Sequence, residues 1–367
     1  MLFSKTAPWH VFVSTLGKLC LAVPVSGSLV LCVVPGPAAV WDGTFGTSSQ
    51  AAQASVKHAS ASLSFVRMFS SPDDVKPEHP ILDRTLDILA GSADPKAPVA
   101  AMQSPSAVIT DSIHRIFVAD PGAKTVHIFD FAHSKYDRLD RRGDRLQVPV
   151  ALAVDGQDNV YVVDQISRTV LVYDSAGKFR RYLGKLRGGE SYFDNPAGIA
   201  VDKAARRIYV CDRQGHMIFV MDERGKLIRK LGSRGAGSRP GEFRFPSQVV
   251  VAGGELFVLD TGNTRIQVFD TAGHFRRALN LGYADRSTGL AVDNRGNIYI
   301  SDSGLNQIQV LNHEGQTLYS FDPTTIKGAN FSHPSAMWVD EGGSMYVVDS
   351  QSNRVGVFQI KAENAPR

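Results

Sequence analysis

Three side chains that could act together in proton transfer lie within fifteen residues of one another: Asp260, Arg265 and His274. They belong to the stretch ELFVLDTGNTRIQVFDTAGHFRRAL, which begins at Glu255. An aspartate that orients a histidine, beside an arginine that stabilises negative charge, is an arrangement used in general acid–base catalysis. A residue that is repeated along the chain has a structural explanation that a unique residue lacks, so the test is whether this stretch occurs once.

The stretch is one of six similar units. A strand-like run that ends in aspartate recurs every 42 to 48 residues, as RIFVAD, NVYVVD, RIYVCD, ELFVLD, NIYISD and SMYVVD. The repeated aspartates are Asp120, Asp164, Asp212, Asp260, Asp302 and Asp349. A catalytic group is not needed six times, whereas an aspartate that accepts hydrogen bonds from the backbone of its own turn is. We predict that all six are structural turn residues, and that His274, a strand's length from Asp260, is too far away for a proton relay.

Each unit contains four strand-like runs. The run that ends in aspartate is preceded by a run such as PAGIAVD and followed by runs such as IFVMD and KLIRKLG, with turn sequences such as DERGK between them. Four short strands joined by turns in a unit of about 45 residues predict one blade of a β-propeller.

The sixth unit lacks its fourth strand. Its third strand ends near Ile360, but SFVRMFS at residues 64–70 has the pattern of the outer strands KFRRYLG and KLIRKLG. Because an open ring would leave an unpaired edge, we predict that this N-terminal strand completes the last blade. The prediction is an all-β fold: a six-bladed β-propeller at residues 63–361 with four-stranded antiparallel blades. The closing strand at 64–70 is followed by an insertion at 72–103, blades from about residue 104, and a tail at 362–367.

These motifs resemble those of the NHL-repeat family of six-bladed β-propellers. The shared unit reads P-x-x-[LI]-A-V-D, then G-N-I-Y-[IV]-x-D, then [IV]-x-V-F-D-x-x-G, and the resemblance covers about residues 62–360. It implies the propeller fold. It does not imply one function, since relatives include lyases, substrate-recognition domains of ubiquitin ligases, RNA-binding domains and receptor ectodomains.

The first 41 residues have the layout of an export signal. The basic residues Lys5 and Lys18 precede an uncharged run of 23 residues that ends at Trp41, with small residues near Ala38. This pattern predicts a signal peptide and a periplasmic or extracellular location. A single membrane anchor is the alternative, because 23 uncharged residues are long enough to span a bilayer. The Ser-, Ala- and Gln-rich residues 42–62 predict a flexible linker.

The central channel of the ring is where a propeller enzyme would carry its chemistry. If alternate residues of the innermost strands face the channel, most of these positions are small or apolar. The first such positions are Ala107, Ala151, Gly198, Gln248, Gly289 and Ala336. We therefore expect a binding protein rather than an enzyme, with no catalytic residue, metal or cofactor. The alternatives are a lyase or hydrolase with a site around His333, Asn195, Gln248 and Trp338, or a substrate-recognition domain like those of NHL-bearing ubiquitin ligases.

Arginines concentrate on one predicted face of the ring. The chain has 40 Lys and Arg against 36 Asp and Glu, so its net charge of +4 alone says little. The loops between blades and the turns between the second and third strands share one face, here called the loop face; the other turns form the turn face. The residues predicted to bind a partner at the loop face are Arg168, Arg213, His216, Arg265, Arg286, His333, Arg354, Asn195, Gln248 and Trp338. Arginine favours carboxylates and phosphates, so the expected partner is a protein or an anionic polymer, with a glycan ahead of nucleic acid because export is predicted.

Overall fold

In the computed structural model of the protein, the described residues are 63–75, 101–139, 145–186, 188–282, 287–326, 329 and 331–361. The predicted signal peptide or anchor, the linker and the tail lie outside them, as do residues 76–100 of the insertion and the predicted binding residue Arg286.

The described chain is built from short strands, with helical structure confined to three 3-10 turns at Pro72–Val75, Thr261–Asn263 and Pro323–Thr325. The first thirteen strands are β1 (Leu63–Phe69), β2 (Ala107–Thr110), β3 (Ile116–Asp120), β4 (Thr125–Asp130), β5 (Lys135–Leu139), β6 (Pro149–Val154), β7 (Val160–Asp164), β8 (Thr169–Tyr173), β9 (Phe179–Leu183), β10 (Pro196–Asp202), β11 (Arg207–Asp212), β12 (Met217–Asp222) and β13 (Leu227–Gly232). The others are β14 (Pro246–Ala252), β15 (Glu255–Asp260), β16 (Arg265–Asp270), β17 (Phe275–Asn280), β18 (Ser287–Val292), β19 (Ile298–Asp302), β20 (Gln307–Leu311), β21 (Thr317–Phe321), β22 (Pro334–Val339), β23 (Ser344–Asp349) and β24 (Arg354–Ile360). In the part of the chain that the structure describes, no helix has the length and apolar character needed to cross a membrane.

The strands form six antiparallel four-stranded sheets, which confirms the predicted six-bladed propeller. Blades 1 to 5 are β2–β5, β6–β9, β10–β13, β14–β17 and β18–β21, and blade 6 has the order β22, β23, β24, β1. The inner strands of successive blades contact one another around the ring, and β22 of blade 6 contacts β2 of blade 1.

The N-terminal strand β1 completes blade 6, as predicted. It pairs antiparallel with β24, from Leu63 opposite Ile360 to Phe69 opposite Val355. Phe69 is fully buried, and its ring lies 4.7 Å from that of Phe129 in blade 1. The strand therefore supplies the outer edge of one blade and also packs against the next.

Strand composition follows from position within a blade. Each hydrophobic cluster joins two neighbouring blades, so the second and third strands are covered on both faces and read as continuous apolar runs. Strand β7, for example, is buried along its whole length. The outer strands are covered on one side only, and β9 accordingly carries exposed basic residues before a buried leucine.

The expectation that alternate residues of each inner strand face the channel is wrong. Residues 150–154 of blade 2 all line the channel. Ala151 and Ala153 pack toward blade 3, whereas Leu152 and Val154 pack toward blade 1. The reason is that a blade's two faces meet its neighbours, so the channel is bordered by the edge of the inner strand and receives contributions from both sets of side chains.

Candidate functional site

The loop face is held together by the repeated aspartates. Five of their carboxylates accept hydrogen bonds from the turn that follows and from backbone N–H groups of the loop that precedes the blade, whereas in the described residues Asp302 accepts from its own turn. Asp164, for example, accepts from Ser167 N at 2.8 Å, Gln147 N at 2.6 Å and Val148 N at 2.8 Å. Asp212 accepts from Gly215 N in the turn that follows it, and from Asp194 N and Asn195 N in the loop that precedes the blade. Each such carboxylate therefore ties an inter-blade loop to a turn.

The first aspartate also has a fully buried histidine as its partner. His127 Nε2 lies 3.1 Å from Asp120 Oδ2, and His127 Nδ1 lies 2.7 Å from the Tyr136 hydroxyl. Burial pushes the pKa of Asp120 up, but the hydrogen bonds from His127 and from three backbone N–H groups outweigh it and hold the pKa below its ordinary value. Burial raises the pKa of Tyr136 to about 12. Because Asp120 and His127 are inaccessible to solvent, this group stabilises the blade and cannot meet a substrate.

The second-to-third strand turns share a left-handed residue at their fourth position. These residues are Lys124, Arg168, His216, Thr264, Asn306 and Asn353, with φ between 50° and 55°. Because the repeated aspartates hold the turn, this position accepts side chains of very different chemistry. A different residue at this fourth turn position changes the side chains on the loop face and leaves the fold the same.

Two predicted arginines are exposed on the loop face. Arg168 and Arg213 are exposed in the turns of blades 2 and 3, and neither forms an ion pair with a described carboxylate. Arg244, in the loop before blade 4, is also exposed, and its backbone is held at both ends: its N–H donates to Asp260 and its carbonyl oxygen accepts from Gly262 N. The exposed carboxylates Glu190 and Asp194, in the loop between blades 2 and 3, partly offset this positive charge.

Arg265 is placed differently from the expectation that it faces a partner. Its Nε donates to Asp260 at 2.8 Å, and its terminal nitrogens donate to the carbonyl oxygens of Ser238, Arg239 and Glu242. This guanidinium holds the inter-blade loop to blade 4 and has little capacity left for a partner.

Arg354 is likewise bound to its own blade, with Nη2 at 3.2 Å from Asp349. The pKa of Asp349 is lowered, because hydrogen bonds from Ser332, Ser352 and Arg354 outweigh the effect of burial. Arg265 and Arg354 are thus both paired with the buried aspartate of their own blade, and contact of either arginine with a partner stays a prediction.

Phe245 is a loop-face residue that the sequence reasoning missed. It is 40% exposed and has a left-handed backbone, with φ of 52°. Its N–H donates to His216 Nδ1 at 3.0 Å, and its ring meets the His216 ring edge-on at 4.6 Å. Ile166, beside Arg168, is 61% exposed. The sequence signal for both residues was an apolar side chain in a turn or loop, where polar residues are usual.

We call Ile166, Arg168, Arg213, Arg244 and Phe245 the loop-face patch. A chain of hydrogen bonds runs beneath it. Gln165 Nε2 donates to Asn195 Oδ1 at 2.9 Å, and Arg213 N donates to the carbonyl oxygen of Asn195 at 2.9 Å. Asn195 thus links the turn of blade 2 to the turn of blade 3, so its role in the patch is positioning.

The remaining predicted site residues do not converge with the patch. His333 lies in the loop before blade 6, where its N–H donates to Asp349 at 3.1 Å. Gln248 and Trp338 line the central channel. The side chains expected to form an enzymatic site around His333, Asn195, Gln248 and Trp338 are therefore divided between the loops and the channel. In the described ranges, no three His, Cys, Asp or Glu side chains are grouped so that they could hold a metal ion.

The turn face carries buried aspartates in its first-to-second strand turns: Asp111, Asp155, Asp202, Asp293 and Asp340. Asp293 accepts hydrogen bonds from Arg295 N and Asn297 N, and its second oxygen accepts from the Tyr299 hydroxyl at 3.0 Å. Asp155 makes the matching contacts with Asn159 and the Tyr161 hydroxyl. A second set of periodic aspartates therefore shapes the turns on this face.

Comparison with known proteins agrees with the fold and the repeats. A family model described as a 6-bladed beta-propeller matches residues 199–365. The chain is 35% identical to the protein brain tumor of Drosophila melanogaster over 132 residues, which cover 33% of this chain and 12% of that protein. It is 35% identical to the B-box type zinc finger protein ncl-1 of Caenorhabditis elegans over 133 residues, which cover 34% of this chain and 15% of that protein. The chain thus spans less than a sixth of the length of these curated relatives, and its repeats are similar to theirs, as the NHL-like motifs predicted.

Solved structures with low sequence identity share the fold alone. A streptogramin B lyase structure superposes with a TM-score of 0.52 at 14% identity, covering 71% of this chain and 85% of that chain. The hydrazine synthase of Kuenenia stuttgartiensis has a TM-score of 0.51 at 16% identity, covering 73% of this chain and 100% of that chain.

Proposed function

We propose that this six-bladed β-propeller with NHL-like repeats is a non-enzymatic binding domain. Its loop-face patch recognises an acidic segment of a partner protein that also carries apolar side chains. The observation that carries the proposal is that two kinds of exposed side chain occur together in the patch. Arg168 and Arg213 have no described carboxylate partner, and Ile166 and Phe245 are apolar.

The chemistry of the patch favours a peptide over a polyanion of uniform charge. Guanidinium groups donate paired hydrogen bonds to carboxylates, and an exposed arginine that has no partner keeps that capacity. An exposed isoleucine beside them suits a leucine or valine of a peptide, because it offers apolar contact and no hydrogen bond. An anionic glycan would use the arginines without Ile166, and single-stranded nucleic acid would favour Phe245, on which bases stack.

The backbone of the patch is held by hydrogen bonds, which supports a binding role. The aspartate hydrogen bonds fix the turns, Asn195 connects two of them, and His216 holds Phe245. A backbone that is already fixed loses less conformational entropy when a partner binds.

The test is a charge reversal on each face. Binding of a fluorescent peptide of alternating Glu and Leu is measured for the wild type, for Arg168→Glu/Arg213→Glu and for Lys178→Glu/Arg224→Glu. The second pair makes the same change in net charge, at exposed positions of the turn face. We expect the loop-face variant to bind at least about ten-fold more weakly, equivalent to about 1.4 kcal/mol, and the turn-face variant to stay within about two-fold.

A second variant separates the partner classes. Ile166→Ser should weaken binding of the Glu/Leu peptide and leave the binding of heparin and of a single-stranded RNA unchanged. Tighter binding of heparin or RNA than of the peptide, insensitive to Ile166→Ser, would assign the patch to a polyanion instead. Equal weakening by the two charge reversals would show that the loop face has no special role.

We also propose that the propeller is exported through its first 41 residues, on the basis of the basic start and the uncharged run that ends at Trp41. Expression in the native host of the full chain and of a chain lacking residues 1–41, followed by fractionation, tests this. The full chain should leave the cytoplasm and the shortened one should not. Release by detergent alone would favour an anchor, and retention of both in the cytoplasm would contradict export.

A further inference from the structure

The central channel contains a cavity that the loop-face proposal does not use. Its volume is about 430 Å³, within the range of small-molecule sites. Its walls are the inner strands, including Leu152, Val249 and Met337, so they are largely apolar. Its lining continues to the first-to-second strand turns of blades 3, 4, 5 and 6, and these turns place the mouth on the turn face.

Carboxylates surround this mouth. Glu341 lines it as an exposed carboxylate, and Asp202, Asp293 and Asp340 line it as buried carboxylates that also accept hydrogen bonds from their own turns; the one cation in the lining is Lys203. Burial and the negative charge of the adjacent aspartates raise the pKa values of Tyr299 and Tyr346. Outside the lining, the exposed Arg295 follows Asp293 in the same turn, and Arg206 is already paired with Glu223. A mouth with negative charge above apolar walls concentrates the field on a cation that enters.

An ion pair crosses the mouth. Lys203 belongs to blade 3 and Glu341 to blade 6, which are opposite one another in the ring, and Lys203 Nζ lies 3.7 Å from Glu341 Oε1. Both side chains are largely exposed, so this pair contributes little free energy and separates easily. It can therefore give way to a ligand.

The channel wall has two groups that a ligand would meet. The half-buried amide of Gln248 lines the cavity and makes no hydrogen bond with a described protein group. Trp338 also lines the cavity, with its indole N–H donated to Thr110 Oγ1 at 3.0 Å. An apolar chain that enters the cavity would lie against this indole.

We propose that the central channel binds a small cationic amphiphile, with its apolar body against Trp338 and the inner strands and its ammonium group among the carboxylates at the turn-face mouth. This site lies in the channel and opens away from the loop face, so it does not depend on the loop-face proposal.

The test uses octylammonium, octanoate and octanol, which have the same chain length and differ in charge. The chain has three tryptophans, so Trp9→Phe/Trp41→Phe leaves Trp338 as the single indole reporter. Octylammonium should change its fluorescence saturably, octanol more weakly and octanoate least. Trp338→Phe should abolish the signal.

Two variants at the mouth test whether its charge controls the affinity for octylammonium. Lys203→Gln should strengthen octylammonium binding roughly two- to five-fold, because it removes the competing cation, and Glu341→Gln should weaken it by a similar factor. Both positions are exposed on turns, and thermal melting confirms that the variants fold. The proposal is overturned if no probe gives a saturable change, if octanoate binds as well as octylammonium, or if the two mouth variants shift the affinity in the same direction.

Discussion

At the scale of single residues, side chains that resemble a catalytic group stabilise turns and loops. Asp260, Arg265 and His274 have separate tasks: Asp260 accepts from Arg244 N, Arg265 ties a loop to its blade, and His274 pairs with Asp270 on the turn face. The sixfold repetition in the sequence was enough to identify Asp260 as a turn residue rather than a catalytic one. The contacts of Arg265 depend on a loop more than twenty residues earlier, which no local pattern reports.

His127 offers a direct test of the buried network. In blade 4 the matching position is Gln267, whose Nε2 donates to Asp260 Oδ2 at 3.1 Å, as His127 Nε2 does to Asp120. We expect His127→Gln to stay within about 1 kcal/mol of the wild type and His127→Leu to lose about 1–3 kcal/mol, because leucine leaves a buried carboxylate oxygen without its partner. Urea unfolding at pH 7 measures both, and equal losses for the two variants would contradict the assignment.

The carboxylate of Asp120 predicts how the stability of the fold changes with pH. The pKa of Asp120 in the folded protein is below its ordinary value of 3.8. A carboxyl group whose pKa is lowered by folding stabilises the protein above its ordinary pKa, and this stabilisation is lost as the pH falls through the folded-state pKa. Asp120→Asn should therefore be less stable than the wild type at pH 7, and the difference between their free energies of unfolding should shrink as the pH is lowered below 4. Urea unfolding from pH 7 to pH 3 tests this, and a difference that widens in acid would be inconsistent with it.

At the scale of elements, the inter-blade loops depend on clamps from the following blade. We expect Arg265→Met to lose about 1–3 kcal/mol and to speed hydrogen exchange in residues 238–245, because the loop carbonyls and Asp260 lose their donor. Arg265→Lys should recover only part of this, since an ammonium group cannot form the same fork of bonds. Arg213→Met is the matched control at an exposed arginine. If both Met variants behave alike, Arg265 is not a clamp.

The closing strand is the second element-scale test. Deletion through Ser70 removes β1 and exposes the edge of β24, whereas deletion through Val56 leaves the pairing intact. The longer deletion should lower the melting temperature by roughly 10 °C or more relative to the shorter one.

A pair of point variants within β1 supports this test. Phe69→Ala should cost about 3–5 kcal/mol, because Phe69 is buried against blade 1, and Val66→Ala, at an exposed position of the same strand, should change stability by less than about 0.5 kcal/mol. Equal melting temperatures for the two truncations would refute closure by this strand.

At the scale of the whole molecule, six recurrences of one unit determined the fold. The strand order, the ring and the N-terminal closing strand all followed from repeated motifs and from the need to cover an edge, and the structure confirms them. The channel and the loop face were harder to predict. Which side chains line the channel depends on blade packing, and which arginines stay exposed depends on loops that carry no periodic signal; Arg265 and Phe245 are the two clearest cases.

The most direct test of the central proposal is to locate the partner on the molecule. Hydrogen–deuterium exchange with and without a saturating concentration of the Glu/Leu peptide distinguishes the two faces. Slower exchange is expected at residues 165–168, 213–216 and 244–246 of the loop face, with no change in the turns at 203–206 and 293–297. Protection confined to the turn face, or none at saturation, would contradict the proposal that the loop face is the binding surface.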